Sequence, residues 1–451
     1  MEAVSGIIIF AAGVFLLLLS LLFSIPSFIR HEARAGRVGV LGVIGGGLIL
    51  VLAWLPLPAK EFVAWFFVIL GIGFGIILIL PFGSVEMLHE RPNHPVDERT
   101  IVFSRWHLQP ESPQYETYYA DHPEHKDSDA DIRKLPGLLS LKAPLAEPLA
   151  FAATDAGFFF TESLRDAVDG PVASERLEIP TETATSYLKE LARFWGARLS
   201  GITQVRDYHI YSHIGRGSGT YGAPVVLSHP YAIVFAFEMT LEMVRTAPRA
   251  PEMMETAHQY SEAAQTAIQV AAWIRALGYE ARAHIDGNYR LILPLVGRDA
   301  GLGEIGRMGL LMTPELGPRL RLSAVSTTLP LLDDHPGDNR NVLDFCQICK
   351  KCAENCPGQA IPFGDRQKID GAWRWRINAE KCFHYWNTVG TDCGRCMMVC
   401  PYSHANDPAH NLIRWLVARS GGARRLAVLM DDWVYGRKPK PAPVPDWTKK
   451  S

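Results

Sequence analysis

The chain lacks the features of several protein classes. Its 45 lysine and arginine residues are balanced by 47 acidic residues, so no basic excess points to a nucleic-acid partner. No cysteine precedes residue 346 in the 451-residue chain, which argues against the disulfide framework of a small secreted domain. The first 25 residues have neither a basic segment nor a twin-arginine motif, so no cleaved export signal is expected. The informative residues are apolar runs near one end and cysteines near the other.

Three long apolar runs open the chain, and none of them contains an internal charge. They cover Gly6–Ile25, Val38–Leu55 and Phe62–Phe82. Each approaches the ~20 residues that a helix needs to cross a bilayer. The runs therefore predict three transmembrane helices, a multi-pass cell-membrane protein and the lipid bilayer as a partner.

The charges of the two short loops predict the orientation of these helices. The first loop carries Arg30, Arg34 and Arg37, whereas the second carries only Lys60 and one glutamate. Positively charged loops tend to stay inside the cell. The sequence thus predicts an outer N-terminus and a cytoplasmic location for everything after the third helix.

The cysteine spacing near the other end indicates iron–sulfur chemistry. The stretch CQICKKCAENCP has the C-x2-C-x2-C-x3-C-P spacing of bacterial ferredoxins, and a second group ends in CGRCMMVCP. Zinc sites favour two C-x-x-C pairs and do not need the prolines. In two-cluster folds the fourth cysteine of a run binds the other cluster. We therefore predict two [4Fe–4S] clusters, one on Cys346, Cys349, Cys352 and Cys400 and the other on Cys356, Cys382, Cys393 and Cys396.

The pattern between these ends indicates an α/β or α+β core. A helix is predicted from Thr181, because apolar residues recur there at helical spacing, and a longer one from Pro251 to Gly278. HPYAIVFAFEM and RLILPLVG are each predicted to be a strand. The aromatic-rich segment 90–139 is expected to pack along a domain surface, and the insertion FHYWNTVGTD to bulge toward whatever the clusters serve.

Two glycine-rich stretches are candidate cofactor contacts. DAGLGEIGRMG matches G-x-G-x-x-G, but Pro314 and Pro318 interrupt the helix that a dinucleotide site requires. Close approach of the backbone to another large ligand is the preferred interpretation. HIGRGSGTYG is either a mobile loop or a cradle for a bulky cofactor. The glycines concerned are Gly215, Gly217, Gly219, Gly301 and Gly303.

From about Val96 to Asn411 the chain resembles the corrinoid-dependent reductive dehalogenases. The resemblance is carried by VDERTIVFSR, YYADHPE, RALGYEARAH, DAGLGEIGRMGLLMTPELGPRLRLSAVSTTLPL and CPYSH. It implies an α+β protein with three N-terminal transmembrane helices, a nitroreductase-like corrinoid-binding core and a C-terminal ferredoxin-like two-cluster module. The expected domains are an anchor at 1–85, the core at 86–335, the cluster module at 336–415 and a C-terminal tail at 416–451. The family is usually exported and held by a separate membrane protein, whereas this chain carries its own helices.

The resemblance also implies the catalytic residues. The proton donor of the family corresponds to Tyr260 and its basic partner to Arg321, with Arg319 as a competing choice in the same segment. Thr256 lies one helical turn before Tyr260 and is expected to face the same pocket. A guanidinium beside the tyrosine would stabilise the tyrosinate left after proton donation.

The resemblance further implies that the cobalt of the corrinoid has no ligand from the protein. A D-x-H-x-x-G motif begins at Asp207 and His209, but Ser212 replaces the glycine. His209 is therefore interpreted as structural or as a contact to the cofactor tail.

The predicted function is reductive dehalogenation of an organohalide, with two electrons passing through two [4Fe–4S] clusters to the corrinoid and a proton coming from Tyr260. A ferredoxin, a flavodoxin or a membrane quinol would donate the electrons. Two alternatives stay open at this point. One is a membrane-bound iron–sulfur electron-transfer protein, and the other is a corrinoid enzyme like epoxyqueuosine reductase, although no basic tRNA-binding surface is evident.

Overall fold

The computed structural model describes residues 2–55, 60–80, 91–337 and 339–449, and the chain divides into two compact units. The first unit, which we call the anchor unit, comprises Met1–Glu86 and Ala405–Lys440. The second, the catalytic unit, comprises Met87–His404 and Pro441–Ser451. The predicted boundary at residue 85 falls outside the described residues, and the predicted domain limits stay predictions.

The anchor unit begins with three apolar helices, α1 (Glu2–Ile29), α2 (Ala33–Trp54) and α3 (Lys60–Ile79). Each is long and apolar enough to cross a membrane. Small residues let the first two approach closely, because a side chain at Gly39 would collide with Ser24 and one at Gly13 with Leu50. The three predicted apolar helices are thus confirmed, although the expected end at Phe82 lies outside the described residues.

The catalytic unit contains twelve described α-helices and eight strands. The helices before the long central one are α4 (Val102–Trp106), α5 (Pro113–Asp121), α6 (Lys126–Arg133), α7 (Pro148–Ser163), α8 (Thr181–Phe194) and α9 (Leu241–Val244). The others are α10 (Ala250–Ala276), α11 (Leu293–Asp299), α12 (Arg340–Cys349), α13 (Lys351–Glu354), α14 (Ala379–Val389) and α15 (Arg395–Met398). The strands are β1 (Leu199–Gln204), β2 (Tyr231–Glu238), β3 (Ala281–His284), β4 (Glu304–Ile305), β5 (Leu311–Met312), β6 (Leu320–Thr327), β7 (Gln367–Ile369) and β8 (Ala372–Arg374).

Four strands form the central antiparallel sheet in the order β1-β2-β6-β3. In the register of its middle pair, Ile233 lies opposite Val325 and Phe237 lies opposite Arg321. Side chains alternate between the two faces of a strand, so Arg321 and Val325 share a face. Val325 belongs to the core formed with α10, and Arg321 is therefore directed toward that helix.

Several predicted elements are confirmed, and their limits have local causes. The helices predicted from Thr181 and Pro251 are α8 and α10, and HPYAIVFAFEM contains β2. Pro251 stands in the first turn of α10, where its missing N–H costs nothing. In the aromatic-rich segment, Tyr118 and Tyr119 are buried, which agrees with a packed segment rather than a flexible linker.

Two local predictions were wrong. RLILPLVG is not a strand, because Leu293–Asp299 is helical and a proline in its first turn favours a helix start. The insertion FHYWNTVGTD does not form a bulge, because most of it belongs to the helix α14. Phe383 and Val389 of this helix are buried. Its last residue, Asp392, interacts with Thr256 and Arg321, as described below.

The anchor unit ends with two further helices, α16 (Pro408–Arg419) and α17 (Gly421–Val434). The hydroxyl of Ser420, between them, donates a hydrogen bond of 2.7 Å to the carbonyl oxygen of Ile77 at the end of α3. Residues from 416 onward were expected to form a tail, but they continue α16 and form α17. A tail conformation is found only after this helix.

Candidate functional site

One face of α10 carries the predicted proton donor. Glu252, Thr256 and Tyr260 are spaced four residues apart, so they occupy successive turns on the same side of the helix. Arg321 approaches this face from β6, and its guanidinium carbon lies 5.2 Å from the centre of the Tyr260 ring. The structure therefore brings together the tyrosine and the arginine that the sequence pairs.

A hydrogen-bond chain holds Arg321 in place. Its Nη2 donates to the hydroxyl oxygen of Thr256 at 2.7 Å, and that hydroxyl donates to Oδ2 of Asp392 at 2.8 Å. Asp392 also lies 3.5 Å from the guanidinium as an ion-pair partner. Thr256 is thus a bridge between the arginine and the carboxylate, and it is buried rather than lining an open pocket.

Arg319, the competing arginine, has a different role. It is almost fully buried and donates to the carbonyl oxygens of Ser403 and Met239 and to the carboxylate of Glu238. These bonds tie the end of β6 to its neighbours. Arg321 is therefore the arginine that faces Tyr260.

Burial controls the protonation of Tyr260. Burial raises the pKa of Tyr260 to about 12, although the charge of Arg321 opposes this rise. No side chain in the described part of the structure hydrogen-bonds to this hydroxyl, and Tyr260 remains partly exposed. The phenol is consequently protonated at neutral pH.

Three further side chains surround the tyrosine and were missed by sequence reasoning. Tyr289, Asp286 and Arg216 interact electrostatically with Tyr260 or with one another. Burial, followed by the charge of Asp286, raises the pKa of Tyr289 well above its ordinary value. Only Arg216 gave a signal in the sequence, because it lies inside the glycine-rich stretch HIGRGSGTYG.

Glu98 fixes this glycine-rich loop. Its fully buried carboxylate accepts hydrogen bonds from the backbone N–H groups of Gly215 and Arg216, at 2.9 and 3.2 Å. A side chain at Gly215 would collide with the backbone of Glu98, and one at Gly217 with Asn288. Gly219 has a φ of +94° and more open surroundings. The loop is therefore held by protein contacts on one side.

Gly301 and Gly303 pack against the chain itself. A side chain at Gly301 would lie 2.7 Å from the carbonyl oxygen of His335, and one at Gly303 would collide with the carbonyl oxygen of Met312. These contacts alone account for both glycines. Among the described residues, the helix α11 directly precedes this stretch and the short strand β5 follows it, which agrees with the rejection of a dinucleotide site.

His209 is committed to structural hydrogen bonds. Its Nδ1 accepts from the backbone N–H of Arg206 at 3.1 Å, so its Nε2 carries the proton and donates to Asp299 at 2.9 Å. Burial alone would raise the pKa of Asp299, but hydrogen bonds from His209, Arg298 and Tyr208 outweigh burial and lower it. Neither ring nitrogen of His209 is free to bind a metal.

The eight thiols lie in two groups. Burial and repulsion from Cys346, Cys349 and Cys352 raise the pKa of Cys400 well above its ordinary value. Burial and repulsion from Cys356 raise the pKa of Cys382 to about 12. Burial and repulsion from Cys382 and Cys356 also raise the pKa of Cys396. The proximity agrees with the two predicted sets of four, and all eight cysteines are free of disulfides.

A buried carboxyl pair separates the second thiol group from Arg321. Burial and the charge of Asp392 raise the pKa of Glu252 well above its ordinary value. Glu252 packs against Gly394, where any side chain would collide with its carboxyl group. Neither residue was predicted, although Glu252 lies one turn before Thr256 and Asp392 directly precedes Cys393. The chain Glu252–Asp392–Thr256–Arg321 thus runs from the cysteines to Tyr260.

The residues present fit both expected groups. Two sets of four crowded, buried thiols are the donor set of cubane clusters, whose iron compensates the charges that burial would otherwise oppose. A corrinoid without a protein ligand to cobalt also fits. His209 and His284 are the fully buried histidines of the catalytic unit, and both ring nitrogens of each are hydrogen-bonded. Nε of Arg321, in contrast, is buried without a hydrogen-bond partner among the described residues.

Comparisons with known proteins relate the chain to an iron–sulfur domain family and to reductive dehalogenases. The family model of the 4Fe-4S dicluster domain matches residues 345–404. A tetrachloroethene reductive dehalogenase of Sulfurospirillum multivorans is 36% identical over 214 residues, which are 46% of this chain and 42% of that protein. An epoxyqueuosine reductase of Lactococcus garvieae is 31% identical over only 119 residues, which are 23% of this chain and 30% of that protein.

Solved structures show the same fold. A reductive dehalogenase whose structure suggests a mechanism for B12-dependent dehalogenation matches with a TM-score of 0.63 and 24% identity, over 79% of this chain and 49% of that chain. The chain spans about half the length, or less, of the curated dehalogenases it matches. The resemblance seen in the sequence is therefore confirmed: this chain is similar to the reductive dehalogenases and carries a 4Fe-4S dicluster domain.

Proposed function

We propose that this protein is a membrane-bound reductive dehalogenase that replaces a halogen on carbon with hydrogen. The reaction consumes two electrons and one proton and releases halide. The single observation that carries the proposal is the pairing of Tyr260 with Arg321 at 5.2 Å, with Arg321 also paired to Asp392, the residue before Cys393. An electron-transfer protein without an organic substrate has no need for a buried acid of this kind.

Tyr260 is the proton donor in this proposal. Its raised pKa keeps the phenol protonated, and the residue is partly exposed. When the proton leaves, the oxygen becomes negative, and the adjacent Arg321 guanidinium stabilises that charge. Such a general acid typically contributes about 10²- to 10⁴-fold to a rate.

The cysteines and the loop residues supply the redox groups. We propose that Cys346, Cys349, Cys352 and Cys400 hold one [4Fe–4S] cluster and that Cys356, Cys382, Cys393 and Cys396 hold the other. A bound corrinoid would supply the low-potential cobalt chemistry that breaks the carbon–halogen bond. Arg216 and Gly219 belong to the surface that would contact it, and the corrinoid remains without a histidine ligand because His209 is occupied.

The anchor unit would hold the protein in the cell membrane, with the catalytic unit in the cytoplasm. The support for this orientation is the arginine-rich first loop. In this proposal a ferredoxin, a flavodoxin or a membrane quinol would donate the electrons.

The proposal is tested with protein purified under anaerobic conditions and supplied with iron, sulfide and cobalamin. We expect retained corrinoid, a full complement of iron, and halide release from a panel of chlorinated and brominated alkenes and aromatics with a low-potential reductant. Tyr260→Phe should keep both cofactors but lose at least about 10²-fold in halide release. Tyr187→Phe, an exposed tyrosine on α8, is the matched control.

Other functions make different predictions in the same experiment. Protein with full iron that retains no corrinoid would overturn the dehalogenase proposal in favour of a membrane electron carrier. Corrinoid retention without halide release, combined with turnover of a modified tRNA, would favour the epoxyqueuosine-reductase alternative. That alternative has the weaker support, because the matched segment is about half as long.

A further inference from the structure

The two C-terminal helices of the anchor unit expose apolar stripes. On α17, Leu426, Leu429, Met430 and Trp433 follow the spacing of one helical face, and Leu429 and Trp433 are 68% and 52% exposed. The opposite side of the helix packs inward, with Arg424 and Asp431 among its buried residues. An amphipathic helix normally turns its apolar face toward the core, so this outward stripe requires a cover.

The preceding helix shows the same feature. On α16, Leu412, Ile413 and Trp415 are each exposed by about half, while His410 and Val417 are buried. The guanidinium of Arg419 stacks on the ring of Trp415 at 4.0 Å. Tryptophan beside arginine on an amphipathic helix is typical of segments that lie at a membrane surface.

Contacts place both helices at one end of the three apolar helices. Asp407 pairs with Arg30 just after α1, the carbonyl oxygen of Trp433 accepts from Arg34 in the first turn of α2, and Ser420 donates to Ile77 near the end of α3.

Those three positions belong to the same end of the bundle. The packing of Gly13 on Leu50 and of Gly39 on Ser24 shows that α1 and α2 are antiparallel. A Cβ added at Gly6, near the start of α1, would lie 3.5 Å from Nζ of Lys60 at the start of α3, so these two helices are parallel. Consequently α16 and α17 lie where the spans leave the hydrocarbon.

We infer that α16 and α17 lie along the bilayer surface, with their apolar stripes inserted between the headgroups and the acyl chains. The cover is the bilayer itself, because α1–α3 also expose apolar side chains and the contacts above hold the stripes at one end of these helices. Arg419 and the exposed Arg425 extend from the same helices and can reach anionic headgroups. The anchor then has three helices across the membrane and two along it.

The inference is tested with the full-length, cofactor-loaded protein in lipid nanodiscs. The discs contain a phosphatidylcholine analogue with a photoreactive group near the headgroup end of its acyl chain. After illumination, peptide mass spectrometry maps the lipid adducts. We expect adducts within 412–416 and 429–433, severalfold above those at Leu177 and Val226, which are 57% and 90% exposed in the catalytic unit. Adding phosphatidylglycerol should increase the adducts on both helices.

A matched pair of variants sharpens the test. Leu429→Glu should lower the adduct yield on α17 severalfold without changing that on α1–α3, whereas Leu177→Glu should change neither. If the yield of lipid adducts on residues 412–416 and 429–433 of the wild-type protein is no higher than that on Val226, the inference is overturned. This outcome does not depend on whether the variants fold. Protein–protein cross-links in place of lipid adducts on α17 overturn it as well, because a second copy or another protein then covers the stripe.

Discussion

The cysteine site and the tyrosine site are built in different ways. All eight cysteines lie within residues 346–400, and their spacing alone indicates the two sets of four. The tyrosine site is assembled from distant parts of the chain, since Thr256 is separated from Arg321 by 65 residues and from Asp392 by 136. The two sets of cysteine ligands can therefore be predicted from local spacing. The proposed pair Tyr260–Arg321 forms only when α10, β6 and the segment before Cys393 pack together.

The largest loss of halide release is expected from a change at the cysteine site. Cys400→Ser removes one of four donors from a buried group, so we expect loss of about half of the bound iron and loss of halide release to background. Iron analysis and electron paramagnetic resonance of the dithionite-reduced protein measure this. Ser403→Ala is the control, because Ser403 is equally buried and its hydroxyl has no hydrogen-bond partner among the described residues. Full iron retention in Cys400→Ser would contradict the assignment.

The next effect is expected at the assembled site. Arg321→Met removes the charge beside Tyr260, and halide release should fall by about 10²- to 10³-fold, as for other donors that stabilise a developing negative charge. Arg321→Lys should recover part of this rate, because the charge returns without the guanidinium geometry. Iron and corrinoid contents should not change in either variant. A methionine variant that is as active as the lysine variant would rule out electrostatic assistance.

The difference between local patterns and sites assembled by packing also explains which features could be predicted from the sequence. The cysteines, the apolar helices and α10 are local patterns, and each was predicted correctly in kind. RLILPLVG was misassigned, because a short apolar run does not distinguish a strand from a helix and the effect of Pro294 was overlooked. Asp392 escaped attention because its role depends on Thr256, to which no local pattern connects it. The segment that forms the end of α16 and all of α17 was predicted to be a tail, because its apolar residues were not considered together with the three apolar helices.

A smaller effect is expected at the bridge between Arg321 and Asp392. Thr256→Val keeps the shape but removes a hydroxyl that accepts one hydrogen bond and donates another, which costs about 1 kcal/mol, or about fivefold in rate. Thr256→Ser should restore activity. Thr266→Val is the matched control on the same helix, because its buried hydroxyl donates to the carbonyl oxygen of Trp195 instead. Equal losses in both valine variants would mean that Thr256 acts only through folding.

The smallest effect concerns pH. Burial raises the pKa of Tyr260 to about 12, so the folded protein holds this proton above the ordinary tyrosine value of about 10. Below about pH 9, loss of the Tyr260 proton should therefore change halide release by less than about twofold. The difference in phenolate absorbance between wild type and Tyr260→Phe measures the titration directly. In an Arg321→Met background the midpoint should move higher, because the opposing positive charge is gone. A phenolate signal at neutral pH would show instead that the arginine charge outweighs burial, and Tyr260 could not then serve as the proton donor.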